Sequence, residues 1–254
     1  MKHKRYLFGM LLAMVSLYSN AQLDAPLNNW TTVSKSYEEL VPQIVLTPEE
    51  KNEILALVKP KTPENYKISF SQYFVVVDRN PEKQNAFLAF YNAETKKIEI
   101  SNPTKISTGS KAKKHFITPL GWFENTIDNG SYRALGTKNE NGIRGIGKKG
   151  MRVFDFGWTK ANAGWKENFI IDIRFQMHAT DPDYLEQRLG KPDSQGCVRI
   201  NSSFNEFLDK FGILDKHYEE SATPKWVLRK DRTPVANAGS FLLVIDTAKN
   251  PKGI

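Results

Sequence analysis

Hydrophobic residues fall along the chain in short runs, and their spacing predicts strands more often than helices. Tyr73-Phe74-Val75-Val76-Val77 is aromatic and β-branched throughout and ends at Asp78. A turn at Arg79-Asn80-Pro81 separates it from a second run, Ala86 to Tyr91. Lys97-Ile98-Glu99-Ile100 then alternates polar and apolar, as a half-buried strand does. Thr118 to Phe123, Met151 to Phe156, Phe169 to Phe175 (continuing toward Met177) and Ser240 to Ile245 extend the series. No helical pattern lies between these runs, which argues against a parallel βαβ sheet. The expected fold is mainly β, a sandwich- or barrel-like domain with a few short helices.

Three helices carry start and stop signals. Thr47-Pro48-Glu49-Glu50 is a capping box with Pro at the first helical position, followed by an apolar face of Ile54, Leu55, Leu57 and Val58 and stopped by Lys59-Pro60. Asp181-Pro182 opens a short helix through Leu185 and Leu189 that Gly190 closes. Asn201-Ser202-Ser203 caps a longer one, with Phe204, Phe207, Leu208 and Phe211 on one face and Gly212 at its end.

The start of the chain follows a different pattern. Lys2, Lys4 and Arg5 precede an uncharged stretch, Tyr6 to Tyr18, and Ser19-Asn20-Ala21 offers small or short residues at a cleavage site. Residues 1–21 thus read as a secretory signal peptide, since the apolar run is shorter than the about 20 residues a membrane span needs. Residues 22–66 read as a polar leader with one helix, residues 67–248 as the main domain, and residues 249–254 as a polar tail. Export places the protein in the periplasm or cell envelope, with no stable membrane insertion after cleavage. Removing the first 21 residues takes away three positive charges, so +8 becomes +8 − 3 = +5. That excess is ordinary for an exported protein, and no nucleic-acid recognition motif accompanies it. The single cysteine excludes an internal disulfide framework and any zinc site built from two cysteines.

Gly145-Ile146-Gly147-Lys148-Lys149-Gly150 matches G-x-G-x-x-G, but the strand-like run from Met151 follows where a dinucleotide site needs a helix. It reads as a glycine-rich turn. The chemistry concentrates at Ser194-Gln195-Gly196-Cys197-Val198-Arg199. Gly196 permits a tight turn and a backbone N–H for an oxyanion. Arg199 and the helix starting near Asn201 would favour a thiolate at Cys197. A nucleophilic cysteine needs a base. His3 leaves with the leader, His115 sits in a basic loop, and His217 lies in a polar stretch. His178 ends a strand, where its ring is held rigidly. A zinc cluster of His178, Asp181, Asp183 and Cys197 fits no common ligand spacing, so no metal and no cofactor is expected. Trp122, Trp158 and Trp165 read as core residues ahead of stacking surfaces.

His178-Ala179-Thr180, Leu189-Gly190 and Ser194-Gln195-Gly196-Cys197-Val198-Arg199 together resemble the signature of the L,D-transpeptidase family with its YkuD-like catalytic domain. Ser107-Thr108-Gly109, Thr118-Pro119-Leu120-Gly121-Trp122-Phe123 and Gly150 to Trp158 resemble further family elements. Gln195 departs from the pattern, since many members carry a histidine there, and Ala179 stands where glycine is frequent. The resemblance implies a β-rich cysteine acyltransferase acting on peptidoglycan stem peptides, or on a protein attached to or released from the wall. By carry-over, Cys197 is the nucleophile and His178 the proton acceptor and donor. The backbone N–H groups of Cys197 and Gly196 would hold the oxyanion. Ser194, Gln195 and Arg199 would shape the site or bind substrate. The group that orients His178 stays open between a backbone carbonyl and Asp181. A hydrolase of the same bond, and a non-catalytic wall-binding protein on the same fold, are the alternative readings.

Overall fold

A computed structural model describes residues 29–59, 68–222 and 226–248. The expected signal peptide, the Pro60 stop and the residues 249–254 tail lie outside the described residues. The protein is mainly β, with two mixed sheets and four short α-helices among the described residues.

The first sheet contains β1 (Gln72–Asp78), β2 (Asn85–Asn92), β3 (Lys97–Ile100), β4 (Thr104–Lys105), β5 (Gly121–Glu124) and β10 (Phe241–Ile245). Its order is β3-β2-β1-β10-β5, with β4 on β2. Both faces of this sheet are covered, which is why β1 reads as a continuous apolar run rather than an alternating one. Tyr73, Val75 and Val77 point into the main core. Phe74 and Val76 point the other way, into a second cluster closed by Ile54 and Val58 of helix α2 (Pro48–Val58). The capping box of α2 forms as the sequence predicts: Glu50 N donates to Thr47 Oγ1 and Thr47 N donates to Glu50 Oε2.

The second sheet runs β6 (Tyr132–Arg133), β7 (Arg152–Asn162), β8 (Ile170–Ala179) and β9 (Val198–Ile200). Phe154, Phe156, Phe175, Met177, Val198 and Ile200 turn one face of it toward the first sheet. Phe123 and Phe175 join the two layers edge to face, with centroids 4.5 Å apart. Helix α3 (Ser202–Lys210) closes this core with Phe204, Phe207 and Leu208, and its cap is Asn201, whose Oδ1 accepts from Phe204 N.

The structure differs from the sequence reading in several places. The leader holds two helices. The additional one, α1 (Trp30–Leu40), is capped by Asn29 and belongs to the main core through Val33 and Tyr37. The Tyr37 ring meets Phe204 and Phe207 edge to face at 5.8 and 5.4 Å. Two pairs of strands are parallel, β1 with β10 and β8 with β9. Neither is joined by a single crossover helix. Most of the domain separates the first pair, and a loop with a 3-10 turn (Glu186–Arg188) separates the second. That turn replaces the short helix expected from Asp181 to Leu189. Helix α4 (Lys216–Glu220) and strands β4, β6 and β9 were not anticipated.

Because Tyr37 is fully buried between α3 and the first sheet, Tyr37→Ala is expected to lower the unfolding free energy by about 3–5 kcal/mol in urea denaturation. A loss below about 1 kcal/mol would show that α1 is dispensable to the core.

Candidate active site

Parallel pairing of β8 with β9 sets the site. The register places Met177 opposite Val198, His178 opposite Arg199 and Ala179 opposite Ile200. Side chains alternate across a sheet: Met177, Val198 and Ile200 face the main core, and Ala179, two residues on from Met177, is fully buried on the same face. Gln176, His178, Cys197 and Arg199 share the opposite face. Cys197, one residue before β9, is thereby the diagonal neighbour of His178 on that face.

His178 is 5 % exposed, and its Nδ1 lies 2.8 Å from the Ala179 carbonyl oxygen. A carbonyl only accepts, so Nδ1 carries the proton. Burial, reinforced by the nearby Arg199 charge and opposed by the Ala179 bond, pushes the imidazole pKa down to about 4. The ring is neutral at pH 7 and presents an unprotonated Nε2, the form a general base needs. The open question of its orienting group resolves to the Ala179 carbonyl. Asp181 is committed elsewhere: it accepts from Arg144 N at 2.7 Å and Arg144 Nη1 at 3.2 Å.

The Cys197 thiol donates to the Arg174 carbonyl at 3.8 Å, and no hydrogen bond joins it to His178. Burial pushes this thiol up. The Gln176 backbone and the Arg199 charge pull it down, and Asp155 adds to the rise. Cys197 and His178 are therefore both neutral at rest. Two N–H groups in the first turn of α3 are already engaged: Asn201 Oδ1 accepts from Phe204 N and Glu186 Oε1 accepts from Ser202 N.

The loop before Cys197 is held by hydroxyls. Ser194 Oγ donates to the Cys197 carbonyl and accepts from Gly196 N at 3.1 Å. Thr118 Oγ1 donates to the Gly196 carbonyl at 2.7 Å and accepts from Gly109 N at 2.9 Å. Isolated bridges join Ser107 to Arg199 and Gly109 to Ser194. Ser107-Thr108-Gly109 and Thr118 thus clamp the cysteine loop. The Gly196 N–H, expected to serve an oxyanion, donates to Ser194 Oγ here, and Gly196 also serves the turn. Its φ of +134° is left-handed, and a Cβ there would meet Ile173 Cδ1 at 2.9 Å. Gln195 stands exposed at the rim. Arg199 Nη1 is held by the Asp193 carbonyl at 2.9 Å and lies 3.5 Å from its carboxylate, so its charge reaches the site from a fixed position.

Three further residues complete the face. Asp155 of β7 is buried, receives Arg174 Nε at 2.9 Å on both oxygens, and accepts from Gln176 Nε2 at 2.8 Å. Tyr132 of β6 is half-buried, bonds Gln176 and lies in the field of Cys197, and burial raises its hydroxyl pKa. The strict alternation of Ile171, Ile173, Phe175 and Met177 with Asp172, Arg174, Gln176 and His178 is the signal that could have placed the polar row.

Other sequence candidates fall away from this centre. His115 Nδ1 lies 2.6 Å from Ser110 Oγ, and His217 Nε2 lies 2.7 Å from Glu124 Oε1. Trp122 packs on the outer face of the first sheet, in line with a core role, but Trp158 and Trp165 are exposed. Trp165 lines a cleft of about 1050 Å³ with Arg79, Lys111 and Lys166, and neither Cys197 nor His178 lines it. Among the described residues no group of three or more His, Cys, Asp or Glu could hold a metal ion. The Gly145–Gly150 motif is a turn, followed by β7. No protein-family model and no curated protein matches the chain.

Gly196→Ala forces a side chain into a left-handed position against Ile173. It is expected to cost about 1–3 kcal/mol in chemical denaturation, and an unchanged midpoint would show that the loop does not need this conformation.

Proposed function

We propose that the protein is an exported cysteine acyltransferase of the L,D-transpeptidase kind, acting on peptidoglycan stem peptides in the periplasm or cell envelope. The observation that carries this reading is the neutral His178, with Nδ1 fixed on the Ala179 carbonyl, beside Cys197 on one face of paired strands. The motif resemblance supplies the substrate class, and the charge pattern of residues 1–21 supports export.

In this reading the Cys197 thiol turns from the Arg174 carbonyl toward His178. Nε2 takes its proton as sulfur attacks the carbonyl of an L-configured diamino acid that precedes D-alanine. A C–S bond forms, the C–N bond breaks, and the proton passes from His178 to the departing D-alanine amine. The resulting thioester keeps enough free energy to acylate an amine without a further energy source. A side-chain amine from a second stem attacks it, His178 takes the amine's proton, and the thiol is restored. With the Gly196 N–H engaged, the Cys197 N–H is the remaining loop donor assigned to the oxyanion.

Incubation with a disaccharide-tetrapeptide, read by mass spectrometry, is expected to yield cross-linked dimers and free D-alanine. Cys197→Ala and His178→Ala should each cut the yield at least 100-fold. Tripeptide and D-alanine without dimers would replace transfer by hydrolysis. No reaction with either common stem diamino acid would reject the stem-peptide substrate.

The pH dependence follows from the depressed imidazole. Protonated His178 cannot accept the thiol proton, and its pKa lies at about 4 rather than near the ordinary 6.5. The kcat/KM profile should therefore hold level as pH falls through 6.5 and 5, then drop toward 4. An acid limb centred near 6.5 would mean that His178 is solvated in the working enzyme.

A further inference from the structure

The polar row of β8 changes burial along its length. His178 is buried, Gln176 and Arg174 are half-buried, and Asp172 and Ile170 are exposed. The face therefore opens to solvent at the Arg174 end, and the Arg174 carbonyl there also accepts from the Cys197 thiol. At that end β7 carries a bulge between Asp155 and Trp158. Gly157 sits in the bulge at φ +82°, where a Cβ would meet Asn129 Oδ1 at 2.7 Å. The extra residue returns Trp158 to the face of Asp155, opposite Arg174.

Trp158 is 68 % exposed, and the Arg174 guanidinium lies 5.9 Å from its ring centroid. The guanidinium is fixed on its inner side. Nε binds both oxygens of Asp155, and Nη2 donates to the Asn129 carbonyl, while Nη1 has no partner among the described residues. Asp155 is in turn satisfied by Gly157 N and Gln176. The next charges outward, Lys160 and Asp172, lie 3.4 Å apart and neutralise each other. The result is one outward cation edge beside an open indole, on the same face as the thiol.

We propose that Trp158 and Arg174 form a binding platform for a peptide bearing a free carboxylate, with the carboxylate on Arg174 Nη1 and an adjacent apolar or ring face against the indole. It deepens the acyl-transfer reading and rests on that reading only for the identity of the peptide. The same chemistry could come from the donor stem or from the acceptor stem.

The test uses the Cys197→Ala protein, which cannot turn over, and titration calorimetry. The donor arm uses a tetrapeptide stem and the acceptor arm a tripeptide stem lacking the scissile bond, each with its carboxylates free or amidated. Free carboxylates are expected to bind at least tenfold tighter than amidated ones in one arm, and that arm names the source. Added Trp158→Ala, at an exposed position that leaves folding intact, should weaken the free form about tenfold, and Trp158→Tyr should recover most of it. Added Arg174→Lys, which keeps the charge but not the planar fork, should narrow the preference for the free form. Equal binding of free and amidated peptides, or no binding in either arm, overturns the platform. Turnover by the unaltered chain tests the acyl-transfer reading separately. A protein that turns over but shows no carboxylate preference loses only the platform, and one that shows the preference without turnover loses only the chemistry.

Discussion

The parallel pairing of β8 with β9 is the constraint on which the site depends. A pair of parallel strands puts residues of equal register on the same face. Had these strands paired with a slip of one residue, Cys197 and His178 would lie on opposite faces, one in the core and one in solvent. The core prevents the slip. Met177, Ala179, Val198 and Ile200 are completely buried, and a slip of either strand would expose its own two of these residues while driving His178, or Cys197 and Arg199, inward. Hydrophobic burial on one side of the sheet thus enforces the polar geometry on the other.

The electrostatics follow from the same burial. Desolvation opposes charge on both partners, lowering the imidazole and raising the thiol, so a resting thiolate–imidazolium pair is disfavoured. Arg199 acts on both groups with opposite consequences for their joint charge: it stabilises a thiolate and destabilises an imidazolium. In the proposed acyl transfer the proton would move during attack, with no reactive ion pair stored beforehand. A thiol held neutral at rest is also less open to oxidation, because thiolate character governs oxidation as well as nucleophilicity.

Much of this was legible in the chain, for identifiable reasons. The strands β1, β2 and β3 are runs in which packing and local preference agree, and their ends were placed within a residue or so. Helix α1 was hidden because only Val33 and Tyr37 are buried in an otherwise polar stretch, so its Asn29 cap had no apolar run to announce. Strands β6 and β9 are two and three residues long, too short to carry a period. Cys197 and His178 stood out as candidates because the proposed chemistry needs those residue types. Tyr132, Asp155 and Arg174 were not, because each is an ordinary strand residue until the register places it beside the thiol. The exposure of Trp158 depends on one bulge, which a sequence pattern does not distinguish from a continued strand. The parallel order is a property of the long connections and leaves no local mark.

The two sheets are not independent supports. The chain between β4 and β5 leaves the first sheet, crosses to the second and returns. On the way it contributes Ser107 against Arg199, Gly109 against Ser194, Ile117 N to the Asn162 carbonyl, and the Thr118 hydroxyl to Gly196. Thr108 is itself anchored to Gln84, which is fully buried beside the start of β2. A chain of hydrogen bonds therefore runs from the first sheet to the loop that carries Cys197. Loosening the first sheet would release the cysteine loop even if β8 and β9 stayed paired. The position of one sulfur atom thus rests on both layers, and this accounts for the separation of Ser107-Thr108-Gly109 and Thr118 from Cys197 along the chain and their adjacency in the fold.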